Sequence, residues 1–150
     1  MKLLVAIDGS DLVLDAVRHA LRLRDAGLKA DLVLATVQEP TFLYEMVLPP
    51  SAEVLERVSG AVGNRALEGA EALLRAAGVP FEREIGSGDP AQTLIELAGR
   101  QGCEGIIVGA RGLGAVRSAL LGSVSQAVLH AAMVPVTVVK HAPPDVGTGR

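Results

Sequence analysis

Apolar runs of strand length alternate with stretches of helical periodicity along this chain. The residues from Leu3 to Ile7 are continuously apolar, the mark of a strand buried on both faces. From Asp11 to about Ala26, the apolar residues Leu12, Val13, Ala16, Val17, Ala20, Leu21 and Leu23 form a helical stripe, and Gly27 supplies a stop. A second strand is predicted from Leu32 to Val37, followed by a loop over residues 38–50. Ser51 is the N-cap of a predicted helix reaching about Ala77, with Gly78 after it. Gly60, Gly63 and Gly69 each weaken that helix by up to ~1 kcal/mol relative to Ala, so a break near residues 60–63 is allowed. The third strand, Phe81 to Ile85, alternates charges with apolar residues, as a sheet edge would.

The second half repeats the alternation. Asp89 is read as an N-cap, with Pro90 at the first helical position and Gln92 three residues after the cap, and that helix ends near Gln101 and Gly102. A short apolar strand runs from Gly105 to Val108. A helix from Val124 to about Ala132 precedes a fifth strand from Val134 to Val139. The last ten residues, His141 to Arg150, hold two adjacent prolines and two glycines and read as a flexible tail, leaving residues 1–140 as one domain. Strands alternating with helices predict an α/β fold: a single open five-stranded parallel sheet with right-handed crossovers and helices on both faces. Periodicity leaves the strand order open.

Composition narrows the function classes. At 150 residues one domain can bury roughly 70% of its unfolded surface. A net charge of −3 supplies no electrostatic drive toward nucleic acid or an anionic membrane. The three aromatics, Phe42, Tyr44 and Phe81, make no platform for stacked bases. The single cysteine, Cys103, belongs to no cluster of metal-ligand spacing and reads as a small core residue. Only five apolar residues stand between Lys2 and Asp8, too few for a signal-peptide core, and no run approaches the roughly 18 apolar residues of a membrane span. A cytoplasmic protein is the expectation.

The chemistry concentrates between Gly109 and Ser125. Gly109, Gly112 and Gly122 are separated by two and then nine residues, and Ser123 follows. Glycines let a ligand approach the backbone, and a helix N-terminus is a ready anion site, so the stretch suits phosphates. Strand-to-helix turns need Gly and Ser in any case, and Ser123 with Gln126 has the form of a capping box. Asp8, in Asp8-Gly9-Ser10, ends the first strand; its carboxylate suits a ribose hydroxyl or a helix cap. Arg111 and Arg117 are either phosphate ligands or solvated loop residues.

Two phosphate motifs are ruled on directly. The chain has no G-x-x-x-x-G-K-[ST], and Lys2, Lys29 and Lys140 all lie outside the glycine stretch, which excludes a Walker-type site. Gly86-Ser87-Gly88-Asp89-Pro90-Ala91 matches G-x-G-x-x-A in letters, but puts Asp89 where pyrophosphate would sit, and reads as a capped turn. His19 and His130 fall in helices and His141 in the tail, so no general base is evident.

Three segments resemble the universal stress protein family over nearly the full chain: K-L-L-V-A-I-D-G-S at the start, G-x2-G-x9-G-S at 109–123, and V-P-V-T-V-V at 134–139. The glycine spacing is that of the family's ATP-binding branch. The resemblance implies strand order 3-2-1-4-5, ATP with Mg2+ as the bound cofactor, and a homodimer through Val134 to Val139. By position, Asp8 would hold the ribose, the Val37 backbone would meet the adenine, and Ala6 would line the base. Gly109, Gly112, Gly122, Ser123, Val124 and Ser125 would hold ribose and phosphates, with Val108 and Arg111 flanking Gly109. Thr36 stands where the family usually has His. The function implied is ATP binding in stress response or signalling, with hydrolysis slow at most. A slow hydrolase or nucleotidyl transferase of related fold, and a non-binding interaction protein, are the rivals.

Overall fold

Side chains from alternate positions of each central strand enter two separate apolar clusters, one on each face of a single parallel sheet. The computed structural model describes residues 1–39, 52–111 and 121–141. Its strands are β1 (Lys2–Ala6), β2 (Asp31–Gln38), β3 (Phe81–Ser87), β4 (Gly105–Gly109) and β5 (Val136–Val139). Its helices are α1 (Leu14–Asp25), α2 (Ala52–Ala76), α3 (Pro90–Arg100) and α4 (Ser123–Ala131). The sheet order is β3-β2-β1-β4-β5 and every pairing is parallel. This is the strand order implied by the family resemblance.

One cluster joins Val5, Leu32, Leu34 and Ile107 to Val17 and Ala20 of α1 and to Leu67 and Leu74 of α2. The other joins Leu4, Val33, Ala35, Ile106 and Val108 to Leu94 and Leu97 of α3 and to Val128 of α4. The central strands are apolar throughout because both of their faces are covered. β3 lies at an edge, and its Glu82 and Arg83 are exposed, as the alternating charges predict.

Several local expectations are realised in detail. Asp89 caps α3, its carboxylate accepting the Gln92 amide at 3.0 Å with Pro90 in the first turn; Gly86 and Ser87 of the G-x-G-x-x-A match end β3, and Gly88 makes the bend into the cap. Cys103 is buried beneath β4. Other expectations are corrected. α2 runs unbroken through Gly60, Gly63 and Gly69. The glycine at 63 has a tertiary reason, since a Cβ there would stand 2.6 Å from Ile85 Cγ2, so the helix packs this closely on β3 without a side chain. The first helix opens with a 3-10 turn, Asp11–Val13. β5 begins at Val136 rather than Val134; Pro135 joins the ladder only by its carbonyl, which accepts from the Ile106 amide at 3.0 Å. His141, counted with the tail by sequence, has a buried ring held by Asp15 and Arg111. The Ser51 cap, the loop aromatics Phe42 and Tyr44, Gly112, Arg117 and residues 142–150 lie outside the described residues.

Candidate functional site

The winding direction reverses between β1 and β4, which are neighbours running outward to opposite edges of the sheet. In open parallel sheets such a point leaves a crevice beyond the strand C-termini where ligands bind. Asp8 follows β1 there, and Gly109 ends β4.

The turn at Asp8 is built by its own side chain. Asp8 Oδ1 accepts the Ser10 amide at 2.8 Å and the Ser10 hydroxyl at 2.7 Å, an Asx-turn. Gly9 sits at φ +86°, and a Cβ on it would come within 3.3 Å of Ala66 on α2. Glycine is required at this position by backbone conformation and by packing together.

Across the switch point, Gly109 is bracketed by three partners. Its carbonyl accepts the buried Ser125 hydroxyl, which ties the first turn of α4 to the end of β4. A Cβ on Gly109 would meet the His141 ring at 3.0 Å and the Arg111 carbonyl at 3.4 Å. Beyond it, the Gly122 amide donates to the Ala110 carbonyl at 2.6 Å. Gly122 is the N-cap of α4, at φ −68°, so its backbone needs no glycine.

The capping box expected at Ser123 and Gln126 does not form. Ser123 is the first helical residue rather than the cap, and the Gln126 side chain donates to the Leu121 carbonyl at 3.2 Å. No side chain caps α4 among the described residues. The amides of Ser123, Val124 and Ser125 therefore make up its first turn, where an α-helix has no internal acceptors for them.

The remaining predicted residues divide by face. Ala6, Val37 and Val108 all belong to the α3–α4 side of the sheet. Ala6 and Val37 are half-buried, whereas Val108 is buried in the core, leaving its backbone as the part that can meet a ligand. Thr36 is buried on β2. Arg111 is half-buried, and its amide donates to His141 Nε2 at 3.1 Å. His141 stands beside Gly109 and Arg111, although the sequence places it in the tail. The reason is the strand register: Val139 pairs with Gly109, so a residue two positions later falls level with Arg111.

The universal stress protein family model matches residues 1–140. The chain belongs to that family. The universal stress protein YxiE of Bacillus subtilis is 30% identical over 145 residues, covering 93% of this chain and 98% of that protein. Among solved structures, a universal stress protein described as a complex with cAMP superposes with a TM-score of 0.64 at 28% identity, covering 93% of this chain and 95% of the other. A universal stress protein family protein from Arabidopsis thaliana with AMP bound gives 0.68 at 23% identity over 97% of each chain. At that lower identity the likeness bears on the fold alone. Among the described residues of this universal stress protein, no helix is long and apolar enough to cross a membrane, and no group of three His, Cys, Asp or Glu side chains could hold a metal ion.

Proposed function

We propose that this universal stress protein binds an adenine nucleotide, ATP by the reading of its glycine spacing, in a cytoplasmic stress-response or signalling role. The observation that carries the reading is the convergence, at one topological switch point, of the Asp8 turn and the first turn of α4 without a side-chain cap. A carboxylate suits ribose hydroxyls, and a helix N-terminus suits phosphate. Ala6 and Val37, half-buried on one face, would line the base. Ser123, Val124 and Ser125 would meet phosphate through their amides. Mg2+ would be held chiefly by the phosphates themselves. A universal stress protein 28% identical to this chain and described as a complex with cAMP supports the nucleotide class.

A second reading has its own observation. The Gly122 amide and the Ser125 hydroxyl are both committed inside the protein, to Ala110 and Gly109, as they would be in a loop that serves only to pack. One experiment separates the two. The purified protein is denatured and the released nucleotide identified, and the nucleotide-free protein is titrated with ATP, AMP and cAMP. Release or saturable binding of an adenine nucleotide supports binding, and neither would leave the packing role. Incubation with ATP and Mg2+ should return ATP essentially unchanged, because the only described histidine beside Gly109 has both ring nitrogens engaged.

A further inference from the structure

His141 joins three parts of the chain at the mouth of the proposed site. It lies two residues past β5, whose Val139 carbonyl accepts the Ala110 amide at 2.9 Å. Its side chain is 1% exposed. Nδ1 stands 3.3 Å from Asp15 Oδ2 in the first turn of α1. Nε2 stands 3.1 Å from the Arg111 amide and 3.0 Å from the carbonyl oxygen of the same residue. The ring occupies the space that a Gly109 side chain would take.

In either tautomer Nε2 bonds the Arg111 backbone, as an acceptor from its N–H or as a donor to its carbonyl. With its proton on Nδ1, the ring donates to the Asp15 carboxylate and offers Nε2 to the Arg111 N–H. With its proton on Nε2, the ring donates to the Arg111 carbonyl instead. Asp15 is itself oriented, because Arg18 Nη1 lies 3.2 Å from its other oxygen. This is a carboxylate, an imidazole and a backbone amide in series, ending on the residue from which the glycine-rich stretch departs.

We infer that His141 is a positioning residue for the nucleotide site: through the Arg111 amide it fixes the backbone of residues 109–111 at the exit of β4. The inference rests on the nucleotide-binding reading. With both ring nitrogens engaged and the ring buried, His141 acts on the loop and does not touch the ligand. Gly109 is then glycine to admit this ring, a reason separate from close approach of phosphate.

The test is titration with ATP of the full-length protein and of His141→Ala, His141→Phe and His141→Gln, compared at matched folded fraction. Phenylalanine fills the ring's space without an acceptor and carries the test if the alanine variant does not fold. Glutamine returns an oxygen near the position of Nε2. Loss of one positioned hydrogen bond should weaken ATP binding about fivefold to tenfold in the Ala and Phe variants, with binding restored in the Gln variant. Hydrogen exchange of the Arg111 amide should quicken in the Ala and Phe variants without any nucleotide present. Equal ATP affinity in unaltered protein and Phe variant overturns the inference, as does a Gln variant no better than Phe. If the unaltered protein binds no adenine nucleotide, the binding reading itself has failed and the site role of His141 falls with it; Arg111 exchange then still reports whether the ring anchors the loop.

Discussion

At the scale of single residues, Asp8 has two duties that substitution can part. Its Oδ1 builds the turn through Ser10, and the proposed function adds a ribose. Asp8→Asn keeps an oxygen for the Asx-turn and removes the charge, so melting temperature should hold while ATP affinity falls. Hydrogen bonds to charged groups contribute about 1.5–3 kcal/mol, so a loss of tenfold or more is expected. Unchanged affinity would reduce Asp8 to a turn builder. Cys103 gives a pH prediction of definite sign. Burial pushes its thiol above the ordinary range, Lys2 opposing and Glu82 adding to the shift. A folded-state value above the unfolded one means that the stabilisation is complete below the unfolded thiol's range and is lost as pH rises through the folded value. Denaturant unfolding should therefore show stability falling more steeply above pH 8 in the unaltered protein than in Cys103→Ala. Alkylation at pH 8 should be slow in the native state and fast in urea.

At the scale of elements, local chemistry and tertiary packing can be separated glycine by glycine. Gly99 lies within α3 with nothing near its missing Cβ, whereas a Cβ on Gly63 of α2 would press on Ile85 at 2.6 Å. Gly99→Ala should gain up to ~1 kcal/mol from helix propensity alone. Gly63→Ala has the same propensity gain but meets overpacking worth about 1–3 kcal/mol, so its net effect should be destabilising. Urea midpoints at equal slope decide both. The same division explains which helix starts were legible. Asp89, Pro90 and Gln92 lie within one turn and cap α3 as their spacing predicts. At α4 the equivalent letters, Ser123 and Gln126, fail because Gly122 takes the cap position and hydrogen-bonds back to Ala110. A bond to the neighbouring strand exit moved that helix start by one residue.

At the scale of the whole molecule, β5 ends the sheet, and among the described residues no strand pairs with its outer side. The Pro135 and Val139 carbonyls accept from Ile106 and Ala110, so by the alternation of a parallel ladder Val136 and Val138 turn their N–H groups away from β4. Val124, Leu129 and Met133 are exposed, on and just after the α4 helix that precedes this edge, Met133 at 93%. An edge that no described strand pairs, beside exposed apolar side chains, suits a second copy across a two-fold axis, and sedimentation at micromolar concentration should give a dimer. Val138→Pro deletes an outward donor and spares the β4 ladder, so it should shift the protein toward monomer; a monomeric unaltered protein would sink the interface. The sequence by itself determined the alternating elements, the parallel sheet and, to within a residue or two, most ends of strands and helices. These follow from periodicities of a few residues and from caps, each fixed by neighbours in the chain. It also carried the family, through Asp8-Gly9-Ser10 and the spacing of Gly109, Gly112 and Gly122. Tertiary structure alone decided that α2 lies against Ile85 where Gly63 has no side chain, that Ser125 spends its hydroxyl on Gly109, and that His141 reaches Asp15 across 126 positions of chain. Those facts depend on which strand ends lie side by side, and no local periodicity encodes a distance between residues so far apart in sequence.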